Sequence, residues 1–534
     1  MFTLVFSLAY AQSPLYTSNQ NQYFLHGLAQ AGYGFLRQDW LANTLDPTPL
    51  FSLLVAWTYR LTHQPALFYA IYALLMGIYI FSLFGIADTL FDLSSSPARR
   101  WIFLALLVLV HSAALRFALS RLAGANWTYI LEDGVASQRL LGPVLEPSSF
   151  GVFLMLSIFL FLRRRPYLAV ISAVLAASFH PTYLLSAGVL TLTYMIITLL
   201  DSWRSAEANV PLVPGILNRF TPRFRKELSA AQDFQPQAPK SRWIQPFWIG
   251  LLALAMVSPI LLYVYQDFGR APAGITAKAQ EILVNYRIPH HALISWWFDA
   301  TALVKIGLVL LAVIVVRRKR LFLMLLLPGL AALGLTALQI FLQSDTLALI
   351  FPWRISTFLV PLSTTVLLAW LVSTASRRYP SFFARYQNVL RLASLTLLAL
   401  VVLVGVLRFT LDLQRKASAA EVAVENFVAN SHSENEVYLT PVKMQDFRLA
   451  TGSPVFVDFK SIPYQNVEVL EWYRRERLAD HFYKQPECSQ LTALAREGIT
   501  QLVLGSNLFS FHCQGMIRVY QDRYYRVYRL SPNP

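Results

Sequence analysis

RRKRLFLMLLLPGLAALGLTALQIFL, residues 317–342, sets four consecutive cations against a run in which no charge interrupts residues 321–342. About 20 apolar residues in a helix cover the hydrocarbon layer of a bilayer, and a helix is the form that leaves no backbone group unsatisfied there. The basic block marks the side on which the run begins.

Working outward, comparable runs lie at about 66–91, 101–122, 143–162, 166–179, 182–200, 244–265, 300–316, 355–375 and 389–411. The apolar stretch Met1 to Ala11 is short for a span. Ala9-Tyr10-Ala11 resembles a signal-peptidase site, but no basic region precedes it, so it reads as a first span with a shortened start. The expected fold class is therefore mainly α: a polytopic transmembrane helical bundle of about 11 spans, residues 1–411. The composition agrees, with 534 residues, 56% of them hydrophobic and 14% charged. Trp101, Trp243, Trp248, Trp296, Trp297 and Trp353 stand near the ends of the runs, where headgroups favour such rings.

The net charge of +16 is dealt out in short blocks between runs rather than along one face, which argues against nucleic acid. Arg99-Arg100, Arg163-Arg164-Arg165, Arg204 to Arg242, Arg317 to Arg320 and Arg377-Arg378 with Arg385 fall in alternate loops. The positive-inside rule places those loops, and the N-terminus, in the cytoplasm. Residues 13–65 then form an external loop, in which Pro47 to Leu61 reads as an amphipathic surface helix. The Pro-rich, basic stretch 201–243 becomes a cytoplasmic loop near anionic headgroups. The expected setting is a bacterial plasma membrane.

From residue 412 onward charges are frequent and apolar runs short, so 412–534 reads as a soluble extracytoplasmic α/β domain. Strands are expected at 436–439, 455–459, 501–505, 517–521 and 524–530, with Asp522-Arg523 turning the last pair into a hairpin. Helices are expected at 467–483 and 489–497. Cys488 and Cys513 both lie here, and an oxidising compartment would let them pair. No phosphate-cradling glycine loop is present, which argues against nucleotide binding.

Ionisable residues in or beside spans are costly and so carry information. Asp39, Asp46, Arg139, Glu146, His180, His291, Lys305 and Arg354 all fall toward the expected outer face. Arg354, beside Trp353, suits bidentate contact with a lipid phosphate. Asp46 before Pro47 and Glu146 before Pro147 also suit helix caps, and His180-Pro181-Thr182 suits a tight turn. The pair His290-His291 lacks a third ligand at convincing spacing, so no cofactor is expected and a divalent metal has no support from ligand spacing.

Between Tyr23 and Leu61 the order Gly27-Leu28-Ala29, Asp39-Trp40-Leu41, Asp46-Pro47-Thr48-Pro49-Leu50-Phe51, together with the layout of runs and C-terminal domain, resembles the GT-C membrane glycosyltransferases. That resemblance implies a sugar moved from a polyprenyl-phosphate donor to an acceptor at the outer face of the lipid bilayer. It implies Asp39 or Asp46 as the base and Arg354 as the phosphate clamp, with Arg139, Glu146, His180, His291 and Lys305 as further donor or substrate contacts. In this chain the stretch that usually carries an early acid is Ser18-Asn19-Gln20-Asn21-Gln22, amides only, and an amide takes no proton at neutral pH. A lipid transporter or flippase, or a non-catalytic assembly protein on the same fold, are the rival readings.

Overall fold

The computed structural model describes residues 2–208, 243–269 and 271–531. Each expected run has become a helical segment, but not all reach spanning length. Six helices are long and apolar enough to cross a membrane: Ala66–Phe91, Pro181–Trp203, Ile244–Phe268, Leu321–Leu342, Asp345–Arg378 and Gln387–Ala417. A seventh is added if Pro97–Val110 and Ala113–Leu122, bent by 56°, form one broken span. Pro147–Leu162, Pro166–Phe179 and Ala300–Val315 are shorter apolar helices, and the N-terminal helix Phe2–Tyr10 has nine residues. Among the described residues, six or seven helices thus reach spanning length by length and composition, and a count of about eleven spans is not confirmed.

Local chemistry explains several of the boundaries. Proline opens Pro97–Val110 and Pro166–Phe179, where its missing N–H has no helical partner to lose. The bend after Val110 comes where Ser112 starts a new helix, its hydroxyl accepting from Leu115 N at 3.2 Å. Helices cross closely where a side chain is absent: a Cβ on Gly405 would collide with the Leu8 carbonyl, and one on Gly85 would press into Phe159. Ser157 bonds the Ala169 carbonyl at 2.7 Å and the Tyr194 hydroxyl at 2.8 Å, tying three helices in an otherwise apolar core.

The loop after the first helix folds into short helices, Gln20–Tyr23 and Leu25–Ala31, followed by Pro49–Thr62. Gly27 is required here, because a Cβ would strike Ser52 and Val55 of the facing helix. Pro49–Thr62 buries Phe51, Val55 and Ala56 and leaves Leu53, Trp57 and Leu61 exposed on one stripe.

The last bundle helix runs on to Ala417. Beyond it lies a four-stranded sheet in the order β1-β2-β4-β3, with β1 Tyr438–Leu439, β2 Gln501–Gly505, β3 Met516–Gln521 and β4 Tyr525–Leu530. β1 and β2 are parallel, connected through helices Asn466–Lys484 and Ser489–Arg496, while β4 is antiparallel to both neighbours. The Tyr483 hydroxyl lies 2.8 Å from both Leu439 O and Val503 O, pinning the helix across β1 and β2. The hairpin forms at Asp522, whose Oδ1 accepts from Tyr524 N and Tyr525 N at 2.6 Å each. Cys488 and Cys513 form a disulfide.

Two expectations need correction. Val455 to Phe459 is not a strand: it makes one bridge, Tyr438 to Val455, because its polar side chains and backbone are drawn into the ion cluster described below. The stretch 201–243 does not begin as a loop, since the helix preceding it continues to Ala208; the remainder of that loop, 209–242, lies outside the described residues.

Candidate functional site

Asp39 and Arg448 define how the C-terminal domain seats on the bundle. Asp39 is 0% exposed, and its Oδ2 accepts from Arg448 Nε at 2.7 Å and Val455 N at 2.9 Å, while Oδ1 accepts from Leu41 N at 2.9 Å. Arg448, 2% exposed, also pairs with Asp458. Both Asp39 oxygens are therefore engaged in this docking contact. The amides serve the same docking. Asn21 donates to Asp446 Oδ1 at 2.6 Å and Gln22 to the Tyr464 hydroxyl at 2.7 Å, while Gln20 reaches Leu145 O at 3.2 Å. They are buried connectors between the first loop, the C-terminal domain and the segment before Pro147.

A further buried polar cluster surrounds Arg354. Its Nη1 donates to Gln138 Oε1 at 2.6 Å and its guanidinium lies 4.7 Å over the Tyr183 ring, yet Nε and Nη2, although buried, have no partner. The backbone here is held in strained form: Phe351, Ala136 and Ser137 are non-glycine residues in the left-handed region, at φ 53°, 56° and 53°. Beside Arg354, His180 packs edge-on to Tyr23 and Tyr183, with a buried Nδ1 lacking a partner. Burial first, and the Arg354 charge second, hold the His180 imidazole well below its usual range, so it is neutral. Glu146, 5% exposed, caps the turn Pro147–Gly151; Ser148 Oγ donates to Oε1 at 2.5 Å, and the buried Oε2 is unpartnered.

Arg287 and Lys460 add basic groups from two other segments. Arg287 donates from Nη2 to Lys460 O at 2.5 Å and leaves a buried Nε free. Burial, then the Arg287 charge, lower the Lys460 ammonium. Burial followed by Arg287 and Lys460 lowers His290, and burial followed by His290 takes His291 down to about 3. His291 is fixed by donating Nδ1–H to Ala136 O at 2.7 Å. Arg287, Lys460, His290 and His291 thus share one electrostatic neighbourhood with Arg354.

Of the residues picked from sequence, Arg354, Glu146, His180 and His291 come together. Asp46 sits at the far side of Tyr23: its Oδ1 accepts from Thr48 N at 2.9 Å, its Oδ2 is buried without a partner, and Pro47, Thr48, Tyr23 and Gln22 line a small cavity between. Arg139 and Lys305 belong to an adjoining knot. Arg139 pairs with Asp133 at 2.7 Å and Lys305 Nζ donates to Gly134 O at 2.8 Å, which holds the loop carrying Gln138. Arg287, Tyr23 and Gln138 carry no signal in the sequence, because a lone loop cation, tyrosine or amide has no spacing pattern. Among the described residues no three His, Cys, Asp or Glu side chains gather to hold a metal.

An apolar groove leaves this region between helices Ala300–Val315, Leu321–Leu342 and Ser356–Arg378. Val309, Val313, Leu326 and Leu330 line its length, with Lys305 and Trp353 at the end nearest Arg354.

With that geometry in hand, comparison with known families places a domain of unknown function, DUF6798, over residues 419–479. The matched segment includes Arg448, Asp458 and Lys460, so it covers most of the docking cluster and one of the basic residues near it. No curated protein matches the chain.

Proposed function

We propose that this protein is a membrane glycosyltransferase of GT-C type, which transfers a sugar from a polyprenyl-phosphate donor to an acceptor on the extracytoplasmic side. The observation that carries the reading is Arg354. A buried guanidinium with two donors unsatisfied is expensive to keep and is repaid by an anion that accepts both. Arg287, Lys460 and the neutral histidines supply further charge and donors for a phosphate, and the groove beside Trp353 offers its lipid chain an apolar path. The exposed stripe Leu53, Trp57 and Leu61 suits a helix lying on the bilayer surface. On this reading about eleven segments contribute to the membrane part, the shorter ones packed among longer neighbours, with the N-terminus cytoplasmic and the C-terminal domain outside. Asp46, Glu132, Asp133 and Glu146 each keep one buried carboxylate oxygen without a hydrogen-bond partner.

The test is to incubate membranes bearing the protein with labelled polyprenyl-phosphate sugars and compare Arg354→Ala, Asp46→Asn and Asp39→Asn. Transfer should be abolished by Arg354→Ala. Transfer that survives this change in full removes the assignment.

A further inference from the structure

The groove between Ala300–Val315, Leu321–Leu342 and Ser356–Arg378 is too large for a packing defect. With its open side it holds about 520 Å³, whereas protein interiors leave few voids bigger than a water molecule. Gly329 belongs to its lining, and a Cβ built there meets nothing within 4 Å. A glycine inside a helix costs stability, and here the missing side chain is what keeps the groove open. Leu310, Leu330 and Leu333 of the lining are each roughly half exposed, and Leu321–Leu342 is long and apolar enough to span a membrane. The groove therefore opens sideways, onto lipid.

We propose that this groove is a resident site for one acyl chain of an anionic glycerophospholipid, drawn from the leaflet on the side of the C-terminal domain. Its length selects a chain of one leaflet. The lining runs from Lys305 to Val313 and, on the facing helix, from Leu333 to Leu325, in each case about 12 Å of helix. Half of a bilayer's hydrocarbon layer is about 15 Å. An apolar channel beside hydrocarbon takes hydrocarbon up, because an empty one forfeits the contacts of its walls, and the bilayer's own lipid is the abundant source.

The end of the groove at Lys305 and Trp353 is polar and positive. Among the described residues Trp353 Nε1 is buried without a hydrogen-bond partner, and Lys305 gives one of its three ammonium protons to Gly134 O at 2.8 Å. Ester and phosphate oxygens of a lipid head accept from both. The knot behind sets Arg116, Arg139 and Lys305 against Glu132 and Asp133, three cations to two carboxylates. That excess of one positive charge favours an anionic head over a zwitterionic one. The site stands whatever the chain's activity. On the transferase reading, a donor whose chain takes the same groove enters by displacing the resident lipid.

The experiment uses the full chain in phosphatidylcholine nanodiscs containing a little phosphatidylglycerol with a photoreactive diazirine midway along one acyl chain. After illumination, peptides from residues 300–342 should carry more label than those from Gln387–Ala417, whose exposed leucines meet bulk lipid. Gly329→Leu fills the groove where no neighbouring atom stands in the way. It should lower labelling of 300–342 by about tenfold or more, the effect of excluding two or more methylenes from apolar contact, without lowering the unfolding temperature or the labelling of Gln387–Ala417. Should Gly329→Leu not fold, Leu330→Trp at a half-exposed position of the lining closes the same groove. Undiminished labelling in the filled variant that folds overturns the chain site. A choline-headed probe with the same chain should label 300–342 more weakly, and equal labelling overturns the anionic head. Unlabelled polyprenyl phosphate should compete the label away; if it does not, the path given to the donor chain fails while the phospholipid site stands.

Discussion

Asp39 and Arg448, 409 residues apart in sequence, meet at 2.7 Å in an ion pair closed to solvent, and a single arginine thereby joins the first loop to the segment that carries Asp458. Such a pair is dear to assemble but dearer to break, since loss of one member strands the other.

Arg448→Ala should accordingly destabilise the seating of the C-terminal domain by about 3–5 kcal/mol. Limited proteolysis would show earlier release of fragments from residues beyond Ala417, and thermal unfolding would shift downward. A variant that resists protease as well as the unsubstituted protein would refute this role for the pair.

Arg354→Gln should weaken binding of a fluorescent polyprenyl phosphate by about 10–100-fold, the value of one charge-assisted bond at about 1.5–3 kcal/mol. Arg354→Lys should recover only part, because an ammonium restores charge without the planar fork. Equal affinity for Lys and Arg would mean that the fork is not used.

His291 supplies a pH dependence. An unfolded imidazole titrates near 6.5, whereas the folded ring is held down to about 3. Between those values the unfolded chain binds a proton that the folded chain refuses. The stability contributed by the neutral ring is thus complete above about pH 6.5 and is lost as pH falls toward 3. His291→Gln, which can still donate to Ala136 O, should give a shallower decline of melting temperature across that window, though His180 and His290 continue to contribute in the same direction. An unchanged slope would dismiss His291 as a source.

The bridge Cys488–Cys513 closes a loop of 25 residues, for which the chain-entropy account gives about 2–4 kcal/mol. Replacing both by serine should lower the unfolding temperature of the C-terminal domain. In protein prepared without reductant, neither thiol should take up maleimide; labelling of both under those conditions would contradict the pairing.

Helices were legible because charge-free runs such as 321–342 and proline starts such as Pro166 act locally. The strands 501–505 and 524–530 and the hairpin at Asp522 were readable for the same reason. Val455 to Phe459 was misleading: its alternation is that of a strand, but Val455 N and Asp458 are spent on partners far away in sequence. Asp39 shows the same limit within the site, since a carboxylate in an external loop looks free until Arg448 arrives. Gln20, Asn21 and Gln22 looked like a missing acid, while their hydrogen bonds give them a docking duty that no local pattern announces. Arg354 and Glu146 could be suspected from position alone. Arg287 and Lys460 required the folded chain to bring their loops together.

The proposed site draws on Tyr23 from the first loop, Glu146, His180, Arg287 and Arg354 from the bundle, and Lys460 from the C-terminal domain. During synthesis the ring of residues stays open until the final segment has emerged and docked. On the proposed topology that segment must first be exported, so a ribosome-bound or prematurely terminated chain has no complete site. On the proposed function, competence would be conferred last, as a by-product of finishing translocation.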